Sequence, residues 1–158
     1  MNIFVLDENP TIAAQMHCDK HVVKMVLEAA QMLSTAHRVL DNNESDALYR
    51  ATHKNHPCSI WVRDAEKNYM WLYDHFAALC DEYTHRYGKV HLTDTKLRAI
   101  LATPPKNICD GKQTPFALAM PDDVKCNSAV DSYRAYYKQY KTDIATWNKN
   151  RGAPEWWK

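Results

Sequence analysis

The sequence predicts an all-α fold: a single compact domain of three to four main helices behind a short extended N-terminal segment. Three observations carry this. The 158 residues suit one domain with one core. Apolar residues make up 46% and charged residues 25%, with only three glycines, too few for a protein of many tight turns. Helix start and stop signals then divide the chain into a few long periodic segments.

In chain order, NIFVL (2–6) is a short β-compatible run. Asn9 followed by Pro10 is an N-cap with proline at the first helical position, and opens a helix to about Leu40, bent near Cys18. Residues 41–57 form a polar connection with one helical turn near 46–51. Pro57 opens a second helix, about 58–87, with Ile60, Tyr69, Leu72, Phe76, Leu79 and Tyr83 largely at helical spacing and Gly88 as C-cap. Thr93 caps a shorter helix through Ala102, stopped by Pro104 and Pro105. Residues 106–127 read as an ordered loop with at most one short helical piece. A last helix runs from Asn127 or Ser128 to about Trp147.

The net charge of +1 gives no global pull toward nucleic acid, so any such binding must be local. Five widely spaced cysteines without a CxxC pair, in a chain without a signal-peptide pattern, are expected to be reduced thiols of a cytoplasmic protein. No apolar run approaches the roughly 18 residues of a membrane span, so no membrane partner is expected.

Within HCDKHVVKMVLEAAQML (17–33), His17, His21, Lys24, Glu28, Gln31 and Thr35 fall in about an 80° sector at 100° per residue. From Val22 to Leu33 every other residue is Val, Met, Leu or Ala. A helix so apolar is expected to be covered on most sides, with the polar strip facing a cavity. A buried Lys and Glu need each other or a ligand. Two readings stay open here: an internal Lys24–Glu28 pair, or a site in which Glu28 is the general acid or base and His21 orients substrate or moves a proton, with His17, Lys24 and Gln31 as substrate-binding groups. A tetrahedral metal site from His17, His21, His53, His56 and Cys58 is a weaker alternative, since HExxH is absent. P-loop, GxGxxG and GxSxG patterns are absent too, and no cofactor is expected.

The last helix sets Arg134, Lys138 and Lys141 on one face among Tyr133, Tyr136, Tyr137 and Tyr140, followed by Trp147, Trp156 and Trp157. From Lys125 onward seven basic residues face three acidic ones. Cations interleaved with aromatic planes suit phosphate contact and base stacking, so Arg134, Lys138, Lys141, Tyr137 and Trp147 are candidate nucleic-acid contacts. A core helix with solvated lysines is the competing reading.

Together these parts resemble the phage pyrimidine-dimer DNA glycosylases of the endonuclease V type. Asp19-Lys20-His21 precedes Glu28 at that family's spacing of seven. YMWLYDHFAALCDEYTHRYG resembles its Tyr- and Leu-rich helix ending in Arg-Gly, and Arg134 with Lys138, then Trp147, match its phosphate-holding pair and aromatic tail. The opening MNIFVLDENP with HCDKHVVKM also looks like a group of uncharacterised phage proteins. The resemblance implies a DNA-binding, all-helical N-glycosylase for a modified or damaged pyrimidine, working in host cytoplasm if phage-encoded. It implies an N-terminal α-amine that attacks C1′, with AP-lyase activity through a Schiff base, and Glu28 assisting. The sequence departs from that family at two points. Asn2 is too large for ordinary methionine removal, so the nucleophile is the amine of Met1, with Asn2 beside it, or there is none. Leu27 replaces the arginine before the catalytic glutamate, leaving Lys24 as the nearest cation. A nucleotide glycosidase or modifying enzyme, a nucleotide-sequestering protein and a zinc-binding structural protein are the alternatives. The oligomeric state is left open.

Overall fold

A computed structural model describes residues 1–158 and contains six α-helices and no strand. Two of the long helices expected from periodicity are each split in two. Asn9 accepts from the backbone N–H groups of Thr11 and Ile12 and starts α1, Pro10–Met16. His17 and Cys18 are extended, and α2 runs from Asp19 to Asp41, ending at Asn42 in the left-handed region (φ +48°). The expected bend near Cys18 is thus a full break. Helix α3, Pro57–Asp64, is separated from α4, Glu66–Tyr87, by extended Ala65, and Gly88 closes α4 at φ +68°. Helix α5 spans Leu92–Leu101 and is capped by the His91 imidazole rather than by Thr93. Helix α6 spans Ala129–Tyr140, seven residues short of the expected end. The N-terminal run forms no ladder, and residues 102–128 are irregular apart from a 3₁₀ turn at Asp122–Val124.

Neither break has a proline or glycine; both answer tertiary demands. At Cys18 the chain turns so that α1 packs across α4 while α2 packs on α3, α4 and α5. The turn is held by a buried ionic hub. Arg86 on α4 donates to Asp19 Oδ1 at 3.0 Å, to Glu82 Oε1 at 2.8 Å and to the Gln15 carbonyl at 2.9 Å. Asp19 also accepts from Asn148 N–H, and its carbonyl accepts from the Tyr87 hydroxyl. Arg151 adds a two-pronged contact to Glu82, both at 2.8 Å. One guanidinium therefore ties both sides of the α1–α2 break to α4.

The core lies between α2 and α4, where Met25, Val26, Leu33, Tyr69, Leu72, Phe76 and Leu79 are buried. Ile60, expected on that face, is 39% exposed. Helix α6 closes the core from the other side with Tyr133 and Tyr137, both fully buried against the N-terminal segment. Residues 3–6 are buried as deeply as any helix face. No helix is long and apolar enough to cross a membrane.

Removing one member of a buried ionic hub leaves its partners uncompensated. Arg86→Ala is expected to lower unfolding free energy by about 3–5 kcal/mol in urea denaturation. Arg86→Lys should recover only part, because an ammonium cannot reproduce the guanidinium fork.

Candidate active site

The N-terminal segment lies along the polar strip of α2. Asn2 donates its backbone N–H to Glu28 Oε2 at 3.0 Å, and the α-amino nitrogen of Met1 stands 3.9 Å from the same oxygen. The Met1 side chain is 2% exposed while the residue as a whole is only half-buried. What Met1 shows to solvent is therefore main chain. Lys24 Nζ approaches Glu28 Oε1 at 3.6 Å from a side chain 66% exposed. Gln31 is half-buried one turn further along.

Asn2 makes this arrangement possible. Its Oδ1 accepts from the N–H groups of Ile3 at 2.7 Å and Phe4 at 3.1 Å, and its Nδ2 donates to the Ala119 carbonyl at 2.7 Å. A short Asn side chain that satisfies two following amides makes a local turn. The chain leaves it with Phe4 at φ +56°, a conformation that an aromatic residue adopts only where its surroundings demand it. The Phe4 ring then stacks on His21 at 4.4 Å between centroids, with Tyr136 at 5.7 Å and Lys141 Nζ at 5.8 Å.

Behind this surface is a layer of neutral histidines. His21 Nδ1 is hydrogen-bonded to the Tyr137 hydroxyl. Burial, then Lys141 and Lys24, lowers its pKa to about 3. His17 donates from Nδ1 to the Ala13 carbonyl at 2.7 Å, and its ring lies 5.1 Å from that of His75, which donates to the Pro10 carbonyl at 2.9 Å. Neither Nε2 has a protein partner. Burial holds His17 well below the usual imidazole range and brings His75 to about 4.

The strip is thus divided by depth. Lys24 is exposed and Met1 half-buried, Asn2 and Glu28 are buried beneath them, and His21 is buried against Phe4 and Tyr137. His17, expected to bind substrate, is fully buried in the core and cannot. The expected cavity is corrected as well, because the chain's own first residues cover the strip. The clefts lie elsewhere, one between α1 and α4 around Thr11, Gln15, Asp81 and Glu82, another around Met16, Arg134 and Trp156.

The expected nucleic-acid face on α6 also needs correction. Arg134 turns inward, donating to the Leu6 carbonyl at 2.9 Å, with Asp7 at 3.5 Å and Trp156 under its guanidinium at 5.5 Å. Tyr137 is fully buried, and Trp147 is half-buried with its indole N–H on the Met16 carbonyl. Tyr137 therefore offers no stacking plane, while Arg134 and Trp147 are committed to backbone carbonyls of the N-terminal part of the chain. Lys138 is exposed, and Lys141 lies over Phe4 and Tyr136 beside His21. The five-residue metal alternative does not assemble either: His17 bonds Ala13, His53 bonds the Thr52 hydroxyl, and His56 caps α3.

Sequence reasoning missed Phe4, Ala119 and Tyr133, which hold the chain start in place. Tyr133 donates to the Ala117 carbonyl and accepts from Ala119 N–H. It also missed His56 as the cap of α3, although a His-Pro step before a helix was a readable cap signal.

These histidines couple stability to pH. A base whose pKa is depressed on folding contributes stability that is complete above the unfolded value, near 6.5, and is lost as pH falls toward the folded one. For His75 that window runs from about 6.5 to about 4. Between pH 7.5 and 4.5 His75 alone should cost roughly 2–3 kcal/mol, and His75→Gln should flatten the urea-midpoint profile over that range.

A family model described as pyrimidine dimer DNA glycosylase matches residues 1–96. Neither curated proteins nor solved structures give a significant match. The matched segment is more than half of the chain and holds both Met1 and Glu28. With the amine and the carboxylate side by side inside that match, the chain belongs to the pyrimidine dimer DNA glycosylase family.

Proposed function

We propose that the protein is a DNA N-glycosylase with AP-lyase activity, acting on a damaged or modified pyrimidine with the α-amine of Met1 as nucleophile. The observation that carries this reading is the anchored chain start: a buried Met1 side chain, an amine 3.9 Å from Glu28 and the next N–H bonded to that carboxylate at 3.0 Å. Removing Met1 would empty the space its side chain fills. Keeping it leaves an amine beside a carboxylate, the pairing that amine catalysis at a sugar carbon requires.

In this reading the target nucleotide is turned out of the duplex onto the Met1–Glu28 surface. The amine lone pair bonds to C1′, and the C1′–N1 pair departs with the pyrimidine. The proton shed by the attacking nitrogen passes to Glu28. Glu28 returns a proton to O4′ as the sugar ring opens, which leaves an iminium on Met1. Loss of a C2′ proton then expels the 3′ phosphate. Asn2 is the positioning residue, His21 supports Phe4 and the floor of the site, and Lys24, Gln31 and Lys141 border it. Lys24 and Lys138 are exposed cations available to phosphates.

The family match over residues 1–96 supports DNA over the nucleotide-processing and nucleotide-sequestering readings.

Glu28→Gln keeps the size of the side chain and one acceptor oxygen for the Asn2 N–H, and removes its charge and proton affinity. In single-turnover cleavage of ultraviolet-irradiated duplex, with undamaged duplex as control, it should slow the reaction by about 10³-fold or more. A loss of affinity with no turnover to lose would instead indicate a binding protein.

A further inference from the structure

One of the clefts away from the Met1–Glu28 surface opens where α1, α6 and the C-terminal tail meet. It encloses about 370 Å³ behind a largely apolar wall, with Ile12 and Met16 from α1 and Pro154 and Trp156 from the tail. Ile12 is 41% exposed, an apolar side chain left open on a helix whose Ala13 and Ala14 are buried. The Trp156 indole N–H donates to the Met16 sulfur at 3.3 Å and so holds its ring against α1. Small-molecule sites have this size and this character, apolar walls with a few placed polar groups.

Here the placed groups are two guanidiniums. Arg134 directs Nε to the Leu6 carbonyl at 2.9 Å and Nη2 to Asp7 at 3.5 Å, and lies over the Trp156 ring at 5.5 Å. Arg151 directs Nε and Nη2 to the two oxygens of Glu82, both at 2.8 Å. In neither arginine does Nη1 have a protein partner. Each is therefore fixed along one edge, by the chain start or by the ionic hub, and keeps its Nη1 donors unused at a cleft that both line. Glu155, at the rim, turns to Lys158 at 3.4 Å rather than to either arginine.

Fixed guanidiniums with unused donors suit an anion with several oxygens, a phosphate above all. An indole beside a thioether and an open Ile side chain suits the flat face of an aromatic ring. A bare phosphate has no use for the apolar wall, and a neutral ring has none for the arginines. We infer that the cleft is a binding site for a 5′-mononucleotide, with its phosphate on Arg134 and Arg151 and its base against Ile12, Met16 and Trp156. Both arginines and Trp156 lie beyond residues 1–96, outside the family match. The site shares no residue with the Met1–Glu28 surface and does not depend on the glycosylase reading. A free mononucleotide and the 5′-phosphorylated end of a DNA strand carry the same chemistry, and competition separates them.

The test is to titrate thymidine 5′-monophosphate into the isotope-labelled full chain and follow the indole N–H signal of Trp156 by NMR, with thymidine and inorganic phosphate as controls. We expect a saturable shift at Trp156, and weaker binding of either control by about 10-fold or more. Arg151→Gln removes one guanidinium. Ile12→Glu sets a carboxylate on the open wall and leaves both arginines and Glu82 in place, so it tests the site even where Arg151→Gln unfolds. Each should weaken binding by about 10-fold or more, with the Tm of Ile12→Glu at the wild-type value. A 5′-phosphorylated single strand that displaces the nucleotide makes a strand end the occupant, and one that does not leaves the free nucleotide; either upholds the site. No saturable shift at Trp156, shifts confined to Lys24 and Gln31 on α2, thymidine binding as tightly as its phosphate, or wild-type affinity in Ile12→Glu would each overturn the inference.

Discussion

The hydrogen bond from Asn2 N–H to Glu28 is the contact on which the rest of the structure depends. It joins the first peptide of the chain to the middle of the central helix, and so makes the N-terminus, usually the least ordered part of a domain, part of the core. A carboxylate as buried as Glu28 needs partners. The chain start supplies them from one side and Lys24 from the other. The same contact leaves the α-amine 3.9 Å from the carboxylate.

Much of the molecule serves to hold that first peptide. Asn2 turns the backbone, Ala119 receives its amide, and Tyr133 fixes the Ala117–Ala119 loop from below. Phe4 accepts an uncommon backbone conformation and in return packs among His21, Tyr136 and Tyr137. Arg134 takes the Leu6 carbonyl where the segment leaves the core. Farther off, the Arg86 hub sets the angle between α1 and α2, and with it the line along which residues 1–6 can run. The geometry around Glu28 therefore depends on residues 1–4 as much as on α2.

The helical class and the polar strip of α2 were legible in the sequence, because both are matters of local period: His21, Lys24, Glu28 and Gln31 share one face of the helix. The breaks at Cys18 and Ala65 were not legible, since neither site has a proline or glycine and both follow from how α1 and α3 pack on α4. Depth was not legible either. The period that places His17 in line with Glu28 cannot tell that Ala13 and His75 enclose it, nor that residues 1–4 fill the space where a cavity was expected. On α6, the alternation of cations and tyrosines suits a core as well as a nucleic-acid face. The partner that decides for Arg134 and Tyr137 is more than a hundred residues earlier in the chain.

The central claim is that the amine of Met1 is the nucleophile. Its most direct test is to incubate the protein with ultraviolet-irradiated duplex in the presence of borohydride, digest the trapped complex and locate the sugar remnant by tandem mass spectrometry. The account predicts a remnant on the α-nitrogen of an N-terminal peptide that still begins with Met1. A remnant on a lysine such as Lys24, on a peptide beginning with Asn2, or no trapped complex despite strand cleavage would contradict it.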